Sequence, residues 1–306
     1  MTDPLLSLAD LPGVADAVAR ARAACEELRW HEAFRRRWRE VRAESTVRSA
    51  RASAALEGAG VPLDLLRDAA RGATPIPVDG QGRLAFGALR AAAEVERLLP
   101  ALGARHTAVL PPFGQLLARL HAAAAAGLGD RRVGDPSMPE SGLVRRADDV
   151  GRPRGDAPPR DLAGLGPSPS GPEVAARLDL LGELVRTSTA PALVVAGVVH
   201  GELLALRPFA VGSGVVARAT FRLLVASRGL DPTGAVVADV AWLGSVNGYL
   251  GAAAGFATGT PGGVATWLVT CAEAVRAGAD EGRAIADAVL AGRLEGRLEG
   301  PASAPQ

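Results

Sequence analysis

Apolar residues recur every three or four positions along most of this chain, which is the spacing of amphipathic α-helices. The first such pattern covers residues 14–43, with one gap after Leu28, and predicts a single long helix. Similar patterns predict further helices over residues 84–99, 113–126, 173–187, 237–253 and 264–277. Strands do not alternate with helices in this pattern, so it favours an all-α fold.

The centre of the chain differs from these amphipathic stretches. Residues 191–206 are apolar almost all the way round, which indicates a helix buried in the middle of a helical domain. Pro208 and the triplet 212–214 break the periodicity, which resumes at Val215 and ends at Gly229. We therefore expect a buried helix, a tight glycine turn and a second helix. The N-terminus of the second helix would offer N–H groups and a positive dipole to an anion.

The composition of the chain excludes several kinds of chemistry and of binding site. The chain has 306 residues, 48% of them hydrophobic but only 4% aromatic, and its net charge is +1. Every basic residue is arginine, which excludes Schiff-base chemistry on a lysine. Cys25 and Cys271 are too few for a disulfide framework or a zinc site. Membrane-length apolar runs and a signal peptide are both lacking, so we expect a soluble cytoplasmic protein that binds neither membrane nor nucleic acid.

Residues 207–218 carry a family resemblance. They read Arg-Pro-Phe-Ala-Val-Gly-Ser-Gly-Val-Val-Ala-Arg. This segment resembles the active-site loop of the Fic/Doc (Fido) family, whose pattern is His-Pro-Phe-x-(Asp/Glu)-Gly-Asn-Gly-Arg-x-x-Arg. Five positions match the pattern, namely Pro208, Phe209, Gly212, Gly214 and Arg218.

The same segment departs from the family pattern at four positions. Arg207 stands in place of the histidine and Val211 in place of the acidic residue. Ser213 replaces the asparagine and Val215 replaces the first arginine. The backbone features of the motif are therefore kept, whereas most of its reactive side chains are not.

A second resemblance lies about 150 residues upstream. Many Fic proteins carry an inhibitory helix with the pattern (Ser/Thr)-x-x-x-Glu-(Gly/Asn), which Ser53, Glu57 and Gly58 match. In inhibited members the glutamate pairs with the second arginine of the loop motif. The resemblance therefore implies an ion pair between Glu57 and Arg218. An ordinary helix end with a glycine cap, and a local partner for Arg218, remain the alternative.

The resemblance covers roughly residues 30–280 and implies an all-α helical bundle with a short β-hairpin flap at 127–147. In relatives this flap pairs with a segment of the target protein, so a protein partner is expected there. The implied organisation is an N-terminal helical region with the inhibitory-type helix over residues 1–100, a Fic-like domain over 101–280 and a flexible tail over 281–306. The oligomeric state is left open.

The resemblance also implies a reaction. Fic enzymes transfer AMP from ATP to protein hydroxyls, with a histidine as general base and an acidic residue that holds Mg²⁺. Arg207 cannot act as a base and Val211 cannot bind a metal, so we expect no metal site and no Mg²⁺. We expect a pseudoenzyme with a residual phosphate-binding loop for a nucleotide such as ATP, formed by Gly212, Ser213, Gly214 and Arg218.

Two other functions stay open. The first is an active protein adenylyltransferase with altered chemistry. Residues 212–217 also read Gly-x-Gly-x-x-Ala, so the second is an NAD-dependent oxidoreductase. That alternative requires a β-strand directly before the loop.

Three histidines and one acidic residue lie outside the motif on predicted helices. We expect His31 to be a surface helix residue, His121 to be packed within a helix and His200 to be part of the core. The arginine run at residues 35–39 indicates a solvated face. Glu202 lies on the helix before the loop, and the pattern does not fix its direction.

Overall fold

The computed structural model describes residues 3–75, 79–104, 108–125, 150–155, 158–159, 162 and 164–294. Within these ranges the only regular elements are helices, which confirms the predicted helical class. Two are short 3₁₀ helices, Leu6–Asp10 and Glu32–Arg35. The α-helices are α1 (Val14–Arg29), α2 (Trp38–Leu56), α3 (Leu63–Ala70), α4 (Gly80–Leu98), α5 (Phe113–Ala125), α6 (Gly171–Thr187), α7 (Ala192–Leu206), α8 (Ser213–Ser227), α9 (Ala238–Gly244), α10 (Val246–Ala257) and α11 (Pro261–Leu290).

Helix α7 forms the centre of the bundle. Apart from Ala192 and Glu202, every residue of α7 is buried. It packs against α6, α8, α10 and α11. A helix that is apolar on all sides is stable only when other helices surround it, and this explains its central place.

Helix α2 connects the N-terminal part of the chain to this centre. It packs against α3, α4, α8, α9 and α11. Much of its buried surface is polar and includes Ser45, Ser49 and Ser53. Buried hydroxyl groups need hydrogen-bond partners, and α2 finds several of them on other helices.

The single helix predicted over residues 14–43 is wrong. Helix α1 ends at Arg29 and α2 begins only at Trp38, with the 3₁₀ helix Glu32–Arg35 between them. The gap in the apolar spacing after Leu28 coincides with this break.

His31 lies at the junction and is not the surface helix residue that was predicted. Its Nδ1 accepts a hydrogen bond from the Ala33 N–H, so its ring caps the 3₁₀ helix. Its Nε2 lies 3.1 Å from Asp287 Oδ1 on α11. The histidine thus connects the break to the last helix.

The stretch predicted as one helix over residues 237–253 is also divided. Helix α9 ends at Gly244 and α10 begins at Val246. Ser245 between them has φ −145° and ψ 65°, which is not helical. The residue before the break is Gly244, and glycine is a weak helix former.

The last helix runs farther than the predicted 264–277. Gly278 directly follows the predicted end, but α11 continues through Gly278 and Gly282 to Leu290. A Cβ on either glycine would overlap backbone atoms of residues 235–238. These glycines therefore permit close approach, and the boundary predicted at residue 281 falls inside α11.

Two further predictions concern a hairpin flap and membrane-spanning helices. The hairpin flap predicted at residues 127–147 lies outside the described residues. Among the helices that are described, none is both long enough and apolar enough to cross a membrane.

Candidate functional site: the α7–α8 loop and the end of α2

The loop between α7 and α8, residues 207–212, has two sharp bends. Arg207 adopts a left-handed conformation with φ 44°, and Gly212 adopts one with φ 79°. The Ser213 hydroxyl closes the loop, since it accepts from the Phe209 N–H and donates to the Phe209 carbonyl, both at 3.1 Å. The side chain predicted to bind phosphate at this position therefore makes its described hydrogen bonds within the loop.

Arg154 holds the end of α7, a contact that the sequence did not suggest. Its guanidinium donates to the carbonyls of Leu206 (3.1 Å) and Arg207 (2.8 Å). The last carbonyls of a helix have no N–H partner within the helix, so a buried donor of this kind stabilises the helix end.

The same arginine also fixes the start of the loop. Its backbone N–H donates to the Pro208 carbonyl at 2.7 Å. The guanidinium donates to the Pro169 carbonyl at 2.8 Å, and the Arg154 residue is buried. Arg154 therefore joins the segment before α6 to the end of α7 and to the first residues of the loop.

The contacts of the Arg207 side chain do not suit a catalytic base. It is buried, and its Nη2 donates to the Gly166 carbonyl at 2.9 Å. A guanidinium stays protonated and has no acceptor atom, so it cannot take a proton from a hydroxyl. Its described contact anchors the segment around residue 166.

His121 supports the loop from α5. Its ring stacks on Phe209, with centroids 3.9 Å apart and planes 7° apart. Nδ1 accepts from the Gly151 N–H at 2.9 Å, so Nε2 carries the proton and donates to the Val211 carbonyl at 3.1 Å. His121 is therefore a packed helix residue, as predicted, and both of its ring nitrogens bind protein groups.

The two valines of the motif, Val211 and Val215, are buried. Val211 packs with Ala125 and Leu84. Val215 faces α4 beside a cavity of about 10 Å³, which has room for about one water molecule. Neither valine offers a ligand atom. Among the residues that the structure describes, no group of three or more His, Cys, Asp and Glu side chains could hold a metal ion.

The predicted contact between Glu57 and Arg218 is present. Glu57 Oε1 lies 2.6 Å from Arg218 Nη2, and the two side chains are only 9% and 1% exposed. Arg218 also donates from Nε to the Ser53 hydroxyl at 2.8 Å and from Nη2 to the Ser53 carbonyl at 3.0 Å. The two ends of the inhibitory-type motif thus bind one guanidinium.

Gly58 fixes the direction of Glu57. It has φ 90°, and it ends α2 in a Schellman motif in which Ala59 N–H donates to Ala54 O and Gly58 N–H to Ala55 O, both at 2.9 Å. A side chain at residue 58 would be strained in this conformation. The glycine is therefore a helix cap, and the cap positions the carboxylate beside it.

Polar groups of α2, α9 and α10 surround the other side of Arg218. Asp239 Oδ1 lies 3.8 Å from Arg218 Nε, and Ser49 donates to Asp239 Oδ2 at 2.5 Å. Burial raises the pKa of the Asp239 carboxyl and of the Tyr249 hydroxyl, while the charge of Arg218 opposes both shifts. Burial disfavours the charged form of Arg218, but the Glu57 carboxylate raises its pKa overall. Arg218 therefore stays charged within the core.

His200 lies next to this cluster and is fully buried, which confirms the predicted core histidine. Its Nε2 lies 2.9 Å from Tyr249 Oη, and aromatic rings of Phe221, Trp242 and Trp267 surround it. Burial lowers the pKa of His200 well below 6.5, and the positive charge of Arg218 adds to this effect. The imidazole is therefore neutral.

The carboxylate of Glu57 lies at the N-terminal end of α8. A Cβ added to Gly214, the second residue of α8, would overlap Glu57 Oε1 and would come within 3.0 Å of Arg218 Nη1. The first N–H groups of a helix and its dipole favour a negative charge at this end. The chain therefore places an anion of its own against the glycine turn.

Comparison with solved structures identifies the arrangement of these helices. A Fic family protein from Desulfovibrio desulfuricans G20 is 19% identical, with a TM-score of 0.64 over 89% of this chain and 74% of that chain. Fic-1 from C. elegans is 15% identical, with a TM-score of 0.58 over 89% of this chain and 72% of that chain. A variant of Fic-1 is 17% identical, with a TM-score of 0.62 over 94% and 75% of the two chains. This chain has the Fic fold.

The Fic fold is recognisable here only from the structure and the short motifs. No protein-family model matches the sequence, and no curated protein matches it either.

The structure also answers two questions that the sequence left open: which element precedes the Gly-x-Gly-x-x-Ala string, and where the Glu202 side chain points. The element before the Gly-x-Gly-x-x-Ala string is the helix α7, whereas a dinucleotide fingerprint follows a strand. Glu202 on α7 pairs with Arg177 on α6, with Oε2 2.5 Å from Nη2. Glu202 is therefore directed toward α6.

Proposed function

We propose that this Fic-fold protein is a catalytically degenerate pseudoenzyme. In this proposal, residues 212–214 and Arg218 bind a phosphate-bearing nucleotide in a binding or regulatory role. The observation that carries the proposal is the position of Glu57, whose carboxylate pairs with Arg218 and overlaps the space above Gly214.

The side chains around the loop support the loss of catalysis. A general base must accept a proton from the attacking hydroxyl at neutral pH. Arg207 has no acceptor atom, and both ring nitrogens of His121 already bind protein groups. Loss of a general base typically lowers a rate by ~10²–10⁴. This supports a protein that binds without turnover.

The surroundings of Val211 support nucleotide binding without Mg²⁺. Magnesium requires oxygen ligands, and Val211 stands where the family motif has a carboxylate. Its side chain packs on Ala125 and Leu84. A phosphate at this loop would therefore be held by backbone N–H groups and Arg218 alone.

The glycine turn supports a retained phosphate site. Gly214 presents no side chain, α8 directs its positive end toward the turn, and Arg218 supplies a full charge nearby. Glu57 occupies this position as an internal anion, so a phosphate must displace it. A pair that breaks on binding reduces the affinity by about the strength of a charged hydrogen bond, ~1.5–3 kcal/mol.

A protein partner completes the proposal. The motif at residues 53–58 gives the site a means of regulation, and residues 127–147 are where the family resemblance places target binding. We propose that residues 127–147 bind another protein. The α7–α8 loop would bind the nucleotide and so regulate that interaction.

Calorimetric titration of ATP into the wild type and two variants tests this function. Glu57→Gly removes the internal anion, so we expect ATP to bind ~10–100-fold more tightly than to the wild type. Glu57→Gln keeps the side-chain volume but removes its charge, and we expect a smaller gain. EDTA should leave all these affinities unchanged, because no Mg²⁺ site is proposed.

Arg218→Gln in the Glu57→Gly background is the control, and it should abolish the gain. If Glu57→Gly binds ATP no better than the wild type, the proposed regulation by Glu57 is wrong. If Mg²⁺ strengthens binding severalfold, the proposed loss of the metal site is wrong.

A further inference from the structure

A cleft far from the α7–α8 loop has the dimensions of a small-molecule site. It lies between the first half of α2, the helix α3 and the end of α11, and its volume is about 410 Å³. Pockets that bind small molecules typically measure about 300–1,000 Å³. Neither the loop motif nor the motif at residues 53–58 contributes to its lining.

The floor of this cleft, hereafter the α2–α3–α11 cleft, is apolar. Val47 and Val289 are buried beneath it, and Leu294 lines its end. Ala43 and Ala70 face it from α2 and α3 and are exposed. The small alanine side chains leave room over this floor, and an apolar ligand would bury it from water.

The rim of the α2–α3–α11 cleft carries more positive than negative charge. Its guanidinium groups are those of Arg37, Arg67 and Arg71, and its carboxylates are those of Glu40 and Glu44. Glu44 is buried and already binds Arg67 together with Arg48 from outside the cleft. These two arginines therefore neutralise the negative charge of Glu44.

Arg71 is the rim cation most accessible to a ligand. Its guanidinium pairs with Asp68 at 2.5 Å, and the two side chains are 58% and 41% exposed. Exposed pairs of this kind contribute only ~0–1 kcal/mol, so a ligand carboxylate can join or replace Asp68 at little cost. Arg37 and Arg67 already pair with the rim carboxylates of Glu40 and Glu44, so a positively charged ligand would instead face Arg71.

We infer that the α2–α3–α11 cleft binds an amphipathic anion, with a hydrocarbon body on the floor and a carboxylate directed at Arg71. The exposed guanidinium of Arg71 selects the anionic head, and the apolar floor selects the body.

Titration calorimetry with decanoate below its micelle concentration tests this inference on the full-length chain. We expect saturable binding at one site per chain and weaker binding of decylamine, which has the same body and the opposite charge. Ala70→Phe and Ala43→Phe each place an aromatic ring in the cleft and should weaken decanoate binding by about tenfold or more. Ala19→Phe, at an exposed alanine of α1 outside the cleft, is the matched control and should bind like the wild type.

Arg71→Glu distinguishes the head group from the body, because it should weaken decanoate and strengthen decylamine. Circular dichroism shows whether each variant is folded. The inference is wrong if decanoate does not bind, if decylamine binds equally well, or if both cleft variants bind like Ala19→Phe. A further variant, Leu298→Asp, changes an apolar residue near the end of the sequence. If decanoate bound only to this variant, the occupant of the cleft would be the end of this chain, and the inference would be wrong.

Discussion

The carboxylate of Glu57 lies against Gly214, in the space that a side chain at residue 214 would occupy. This relationship connects two motifs that are far apart in sequence. Glycine at residue 214 leaves space for a carboxylate, and the Schellman motif at Gly58 directs the carboxylate into that space. The buried Arg218 holds it there.

Gly214→Ala tests this relationship directly. In the wild type the added methyl group displaces Glu57 and leaves Arg218 without its nearest acid. Breaking a buried ion pair typically costs ~3–5 kcal/mol, so we expect a loss of ~2–4 kcal/mol in the free energy of unfolding after partial relaxation. In the Glu57→Gly background the same change should be neutral within ~1 kcal/mol, since alanine is the better helix former.

Denaturant unfolding of the four proteins in this double-mutant cycle measures the coupling, which we expect to be about 2 kcal/mol. Equal effects of Gly214→Ala in both backgrounds would show that Glu57 does not occupy this space in solution.

Arg154→Ala should destabilise the end of α7. The change removes hydrogen bonds from a charged donor to the carbonyls of Leu206 and Arg207 and leaves these buried acceptors without that partner. We expect a loss of ~2–4 kcal/mol in the free energy of unfolding. Arg152→Ala removes the same charge from an exposed position two residues earlier and should change it by less than ~0.5 kcal/mol. Similar effects of the two substitutions, measured by denaturant unfolding, would contradict the anchoring role of Arg154.

His200 should make the stability depend on pH below 6.5. Burial lowers its pKa in the folded state, whereas the unfolded chain takes up a proton near pH 6.5. Stability from this residue is therefore fully present above pH 6.5 and is lost as the pH falls. By pH 5.5, one unit below the pKa of the unfolded chain, the loss should be on the order of 1 kcal/mol.

His200→Gln removes this titration and should flatten the pH dependence by that amount between pH 7.5 and 5.5. Denaturant unfolding at several pH values measures the difference. Parallel curves for the wild type and the variant would show that His200 is not kept neutral by the fold.

The helical class and the principal contact of the site could be predicted from short patterns. Periodicity identified the buried α7, because its residues are apolar on every side. The family motifs predicted the contact between Glu57 and Arg218, although they lie far apart in sequence. The hairpin flap and the domain boundary at residue 100 remain predictions from the resemblance.

Other features depend on tertiary contacts and could not be read from local patterns. Gly278 follows the predicted end of the last helix, but it lies within α11, where the backbone of residues 237–238 passes too close to leave room for a side chain. Arg154 lies in a stretch without periodicity, and its role appears only when the end of α7 is brought to it. The junction at His31 likewise depends on Asp287, which is distant in sequence.

Restoring the missing side chains tests whether chemistry alone was lost. Arg207→His, Val211→Glu, Ser213→Asn and Val215→Arg, combined with Glu57→Gly, rebuild the family pattern. Val215 adjoins a cavity of only about 10 Å³, so Val215→Arg carries the greatest risk of unfolding. A second variant therefore carries the other four substitutions and keeps Val215. Circular dichroism shows whether each variant is folded. Single reversions should do little, because catalytic groups act together.

The most direct test of the central claim is transfer of label from α-labelled ATP by the wild type and by Glu57→Gly, with the restored variants alongside. We predict no transfer by the first two proteins, even where Glu57→Gly binds ATP, and self-labelling by a folded restored variant. Robust AMP transfer by the unmodified protein or by Glu57→Gly would contradict the claim that this Fic-fold protein is catalytically degenerate.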